Sequence, residues 1–126
     1  MAIIKSYTDL PQSKKLTEIL PLESADMFYE PSTGYRTEPS EVRFGDIKYA
    51  HPRSIRCWSL AALISILPRF IEFKDDKYYL RFMKEYVEYA NDEISITGRC
   101  LHTIGNDNLV DACYEMILKL NELNLL

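Results

Sequence analysis

The run from Leu60 to Leu67 is apolar at every position except Ser65, and it stops at Pro68. A surface helix would carry an apolar stripe. This segment is apolar around nearly its whole circumference, so burial on most sides is expected. Leu60, Ala61, Ala62 and Leu63 are good helix formers, and Ser59 stands where an N-cap would. Pro68 lacks an N–H and biases Leu67 away from helical angles, which ends the element. A short, buried central helix is therefore the feature around which the rest of the chain has to be arranged.

A chain of 126 residues with 47% apolar and 27% charged residues has the balance of a globular protein and enough length for one core. It reads as a single domain spanning 1–126. The net charge of −4, with no basic stripe, disfavours a nucleic-acid partner. Residues 1–5 hold only a short apolar patch (Ala2, Ile3, Ile4), and no run is long enough to span a bilayer. A cytoplasmic protein with no membrane partner is expected. Cys57, Cys100 and Cys113 are odd in number and unclustered, which favours reduced thiols over a disulfide framework. Cys57 and Cys113 should behave as small buried hydrophobes.

Along the chain, Thr8 or Asp9 can cap a helix with Pro11 in its first turn. Leu10, Leu16, Ile19 and Leu20 share its apolar face, and Pro21 closes it. Glu23-Ser24-Ala25-Asp26 reads as a turn or cap, and Met27-Phe28-Tyr29 as an apolar anchor. Glu30 to Ser40, with Pro31, Gly34 and Pro39, is the strongest loop signal. Val42-Arg43-Phe44 and Ile47-Lys48-Tyr49 alternate like half-buried strands around Gly45-Asp46. Phe70 to Phe73 reads as a strand ended by Lys74-Asp75-Asp76-Lys77. Residues 78–90 fit either a helical stripe or a hairpin. The hairpin is preferred, because Tyr and Val favour pleated surfaces and a short sheet needs partners. Ile94 to Thr97 alternates before Gly98, and Cys100 to Ile104 reads as its continuation beyond a kink at Gly98-Arg99. Leu109, Ala112, Cys113, Met116, Leu120 and Leu123 recur at helical spacing, with capping side chains in Gly105-Asn106-Asp107-Asn108. Asp111, Glu115, Lys119 and Glu122 form the wet side, with a Glu115–Lys119 pair at i,i+4. The expected fold class is α+β: a small antiparallel sheet packed with about three helices, one central and buried.

Three segments, taken in order, resemble a group of small proteins from gut bacteria, some associated with phages and other mobile elements. They are Leu22-Glu23-Ser24-Ala25-Asp26-Met27, then Trp58-Ser59-Leu60-Ala61-Ala62-Leu63 with Leu67-Pro68, then Asn108-Leu109-Val110-Asp111-Ala112-Cys113-Tyr114-Glu115-Met116. An aromatic-rich strand region separates the last two motifs in that group, which implies the hairpin between Tyr78 and Tyr89. No activity and no cofactor come with the resemblance.

Chemistry is sparsely signalled. His51, His102 and the three cysteines are the soft metal ligands, but only Cys100 and His102 are close in sequence, and zinc wants a second such pair. No Walker-type sequence, Gly-rich dinucleotide loop or HExxH is present, and glycine totals only 4. No cofactor is expected. Nine tyrosines and five phenylalanines are the more suggestive feature, since aromatic side chains are enriched at protein interfaces. Tyr35, Tyr79, Tyr86 and Tyr89 are the candidate interaction residues, toward an unknown protein partner or in a homodimer. The first expectation is a non-catalytic interaction or accessory protein, in keeping with a mobile element. The alternative is a small enzyme with a Cys- or carboxylate-based site near Cys57, Glu23 and Asp26.

Overall fold

The computed structural model describes residues 5–30, 42–45, 54–83, 86–90, 100–105 and 108–126, with the side chains of Met83 and of residues 100–103 left aside. The Pro31–Pro39 loop with Tyr35, the segment Ile47–Tyr49, His51, and Ile94 to Gly98 lie outside the described residues. The fold is α+β, with three α-helices and two small antiparallel sheets among the described residues. The expectation was one sheet. The chain divides into two compact units, Ser6–Leu63 and Met1–Lys5 with Ile64–Leu126, and the division falls inside the central helix.

The first unit opens with α1, Leu10–Ile19. Asp9 is its cap: its carboxylate accepts from Gln12 N at 2.9 Å, and Gln12 Oε1 accepts from Asp9 N at 3.1 Å. This reciprocal box satisfies two otherwise unpaired donors of the first turn. Ser13, Leu16 and Leu20 are buried, while Lys14, Lys15 and Glu18 are exposed. A 3-10 turn at Leu22–Ser24 follows.

Strand β1 (Met27–Tyr29) lies between β2 (Val42–Phe44) and β3 (Ile55–Cys57), antiparallel to both. What read as an apolar anchor is thus a middle strand. β3 packs against α1. The segment Ser6–Thr8 runs beside Trp58–Leu60 through Thr8 N to Trp58 O at 3.0 Å and Leu60 N to Ser6 O at 3.1 Å. Trp58 is fully buried, and its Nε1 donates to Ser24 Oγ at 3.0 Å, so the polar edge of the indole is not left unpaired.

The central helix α2 spans Leu60–Ile66. Ser59 caps it as expected, its Oγ accepting from Ala62 N at 3.2 Å. Burial is one-sided, however. Ala62, Leu63 and Leu67 are buried, Leu60, Ile64 and Ile66 are half-buried, and Ala61 and Ser65 are exposed. Ala61 and Ser65 are i,i+4 and therefore form one strip of small side chains, which is the strip that faces solvent.

In the second unit, β4 (Phe70–Phe73), β5 (Asp76–Met83), β6 (Tyr86–Ala90) and β7 (Cys100–Gly105) pair in sequence order, all antiparallel. The hairpin reading of residues 78–90 holds, with Tyr79 opposite Ala90 and Met83 opposite Tyr86. Alternation divides the sheet. Ile71, Tyr78, Val87 and Tyr89 share the buried face, and Phe70, Glu72, Lys77, Tyr79, Arg81 and Glu88 share the other. Helix α3 (Leu109–Glu122) packs on β6 and β7 through Val110, Cys113, Met116, Ile117 and Leu120. Each such fully buried apolar side chain contributes about 1.5–3 kcal/mol. Asn108 caps α3, its Oδ1 accepting from Val110 N at 2.9 Å and Asp111 N at 3.2 Å. Two details differ from the reading above. Leu123 is the exposed C-cap residue, not part of the buried stripe. Lys119 pairs with Glu122 at 3.5 Å, one turn ahead, not with Glu115. Among the described residues no helix is long and apolar enough to cross a membrane.

Candidate functional site

Two sets of residues were expected to carry function, and the fold treats them differently. The first is Cys57 with Glu23 and Asp26. Cys57 ends β3 with no exposed surface. Its Sγ lies 3.4 Å from Thr8 O and 3.6 Å from Thr8 Oγ1. Burial pushes its thiol pKa up, and the negative charge of Asp26 adds to the rise. Hydrogen bonds with Thr8, Ser13 and Tyr29 act in the opposite direction without cancelling it. A nucleophilic cysteine needs the reverse, an exposed thiol in an electropositive setting. Asp26 is occupied elsewhere: one oxygen accepts from Ser59 N at 2.9 Å and the other from the Ser59 hydroxyl. Through Ser59 it fixes the first turn of α2. Glu23 is exposed on the 3-10 turn.

A polar knot that the sequence did not reveal surrounds Cys57. Thr8, fully buried, bonds Ser13 Oγ at 2.8 Å and accepts Trp58 N at 3.1 Å through its hydroxyl, while its carbonyl accepts the Tyr29 hydroxyl at 2.7 Å. Burial, and next the proximity of Cys57, raise the Tyr29 pKa. Every group in the knot finds a partner within it, so it serves packing.

The second set is aromatic. Tyr35 lies outside the described residues. Tyr89 is fully buried on the α3 side of the four-stranded sheet, with its hydroxyl donating to Pro68 O at 2.7 Å. It cannot present an interaction surface, because alternation along β6 turns it to the core. Tyr79 and Tyr86 are half-buried on the opposite face. There Tyr79 stands across from Phe70, with ring centroids 6.4 Å apart, and Phe70 is 43% exposed. Lys77 places its Nζ 3.9 Å from the Phe70 centroid and 5.7 Å from that of Tyr79. Next along the face, Arg81 Nε donates to Glu88 Oε1 at 2.9 Å. The Glu88 side chain is only 5% exposed, which makes this ion pair part of the sheet's packing.

Phe70 and Lys77 were missed as site candidates. Their positions follow from a two-residue turn at Lys74-Asp75, which sets Phe70 opposite Tyr79 and Glu72 opposite Lys77; with a longer turn the same alternation gives another register. Of the soft ligands, His51 lies outside the described residues and so do the side chains of Cys100 and His102. Among the described residues no three His, Cys, Asp or Glu side chains come together to hold a metal ion. No protein-family model, curated protein or solved structure matches the chain.

Proposed function

We propose that this chain is a non-catalytic interaction protein that engages a protein partner, or a second copy of itself, through Phe70, Lys77, Tyr79 and Tyr86. The observation that supports this reading most is the exposed pairing of Phe70 with Tyr79 beneath the Lys77 ammonium. Rigid aromatic area with a polar rim is what recognition surfaces use as anchors. The face also belongs to a hydrogen-bonded antiparallel sheet, which holds the rings in place before any partner arrives. In the setting implied by the likeness to mobile-element proteins, the partner would be a protein of the host or of the element, and the chain an accessory factor.

The alternative, a small enzyme built on Cys57, Glu23 and Asp26, has less in its favour. Its thiol is buried with a raised pKa, and both oxygens of Asp26 are engaged by Ser59.

Light scattering combined with affinity capture from the native cell tests the interaction reading. Phe70→Ser, Tyr79→Ser and Tyr86→Ser should each weaken capture or self-association about tenfold while leaving the circular dichroism spectrum unchanged. Retention of every partner and of the same oligomeric size by all three variants would exclude it.

A further inference from the structure

The three-stranded sheet carries a row of side chains on the face turned away from Cys57. Phe28 in the middle strand lies opposite Arg43 on β2 and opposite Arg56 on β3, and directly opposed residues project to the same face. Ser54 lies one residue ahead of β3 and two positions before Arg56, the spacing that puts side chains on one face of an extended chain. The two arginines are treated differently. Arg43 Nε lies 2.5 Å from the Glu30 carboxylate. Arg56 Nε and Ser54 Oγ are both buried, and among the described residues neither has a hydrogen-bonding partner. Arg56 as a whole is only half-buried, so the residue keeps contact with solvent.

Buried polar groups in folded proteins are nearly always paired, so two orphans within three residues call for an explanation. Their chemistry narrows what could meet them. Both can donate, and the guanidinium also carries a permanent charge. A neutral acceptor would satisfy the N–H and leave the charge uncompensated. An oxyanion would satisfy both, with one oxygen on the planar guanidinium fork and another on the hydroxyl. We infer that Arg56 and Ser54 form a binding site for an oxyanion, the phosphate or carboxylate group of a ligand, on the Phe28 face of the three-stranded sheet. The site is independent of the aromatic row, which lies on the other sheet.

The test titrates the whole chain with inorganic phosphate at ionic strength held constant with sodium chloride. The readouts are the Arg56 Nε–H resonance and the melting temperature. A saturable shift of that resonance is expected, with a melting temperature that climbs as phosphate is added. In Arg56→Gln the apparent affinity should fall roughly tenfold to a hundredfold, and in Ser54→Ala by less. A parallel titration with acetate separates the two sources of the oxyanion. Saturation with either anion, lost in Arg56→Gln, supports the site. A response to neither anion, or one undiminished in Arg56→Gln, overturns it. If Arg56→Gln does not fold, Arg56→Lys takes its place, keeping the charge without the planar fork, and the wild-type Nε–H shift decides.

Discussion

Thr8 does more for its unit than its place in the sequence announces. Beside Asp9 it reads as a competing helix cap, and at that level either residue would serve. Asp9 takes the cap, and Thr8 turns inward to accept Trp58 N–H and bond Ser13 Oγ. The reason was not legible, because Trp58 stands 50 residues along the chain. Local pattern cannot report a partner at that separation. Thr8→Val keeps the shape of the side chain and replaces only the hydroxyl with a methyl group. It would leave the Trp58 N–H unpaired, and Ser13 Oγ with only a weaker contact to Thr8 O at 3.4 Å, each lost pairing worth about 1–3 kcal/mol when buried. A loss of roughly 2–4 kcal/mol in urea unfolding is expected, against about 1 kcal/mol for Ser13→Ala, which removes one member of the knot. A Thr8→Val protein within about 0.5 kcal/mol of wild type would mean the knot is ornamental.

Elements were legible in proportion to their length. Helices α1 and α3 carry a repeating stripe with caps beside it, and the β4–β6 strands alternate long enough to be told from a helix once the turn is placed. Strands β1 and β3 span three residues each. Two side chains on one face and one on the other do not make a period, so neither showed as a strand; β2, equally short, was legible only as part of the longer alternation from Val42 to Tyr49. The one-sidedness of α2 was hidden for another reason: it is written in size, Ala61 and Ser65 against Leu63 and Leu67, more than in polarity. The β4–β5 turn makes a quantitative claim at this scale. Phe73 pairs with Asp76, leaving Lys74 and Asp75 at φ 50° and 68°, a two-residue turn in the left-handed region. This geometry matches strand twist but suits glycine, and asparagine or aspartate tolerate it better than branched residues. Asp75→Gly and Asp75→Val remove the same carboxylate, so their difference isolates the backbone. Asp75→Gly should be the more stable by about 1–2 kcal/mol in thermal unfolding. Equal melting temperatures would place the turn in some other conformation.

At the scale of the whole molecule, the two units share a consequence of burial that composition alone did not show. Each holds a thiol and a tyrosine whose charged forms the fold disfavours: Cys57 and Tyr29 in one, Cys113 and Tyr89 in the other. In all four the largest cause is burial, and for Cys113 it pushes the thiol from an ordinary value near 9 up to about 12. The sign follows from which state holds the protons. Below about pH 8 both states are protonated at these groups, and the stability is fully present. Above it the unfolded thiols ionise first and the unfolded tyrosines next, while the folded chain keeps its protons. Folding then requires proton uptake, and stability falls as pH rises, by up to about 1.4 kcal/mol per pH unit for each group in its window. For Cys113 that window closes near pH 12. The urea midpoint should therefore hold steady from pH 6.5 to about 7.5 and decline from about pH 8.5 upward. Cys113→Ala should flatten the decline by at most one proton, through the unit that carries α3, and leave the part due to Cys57 and Tyr29 in place. A midpoint unchanged between pH 9 and 11 would show that these thiols and phenols ionise as freely in the folded chain as in the unfolded one. The packing of Cys113 against the four-stranded sheet could not then be as drawn.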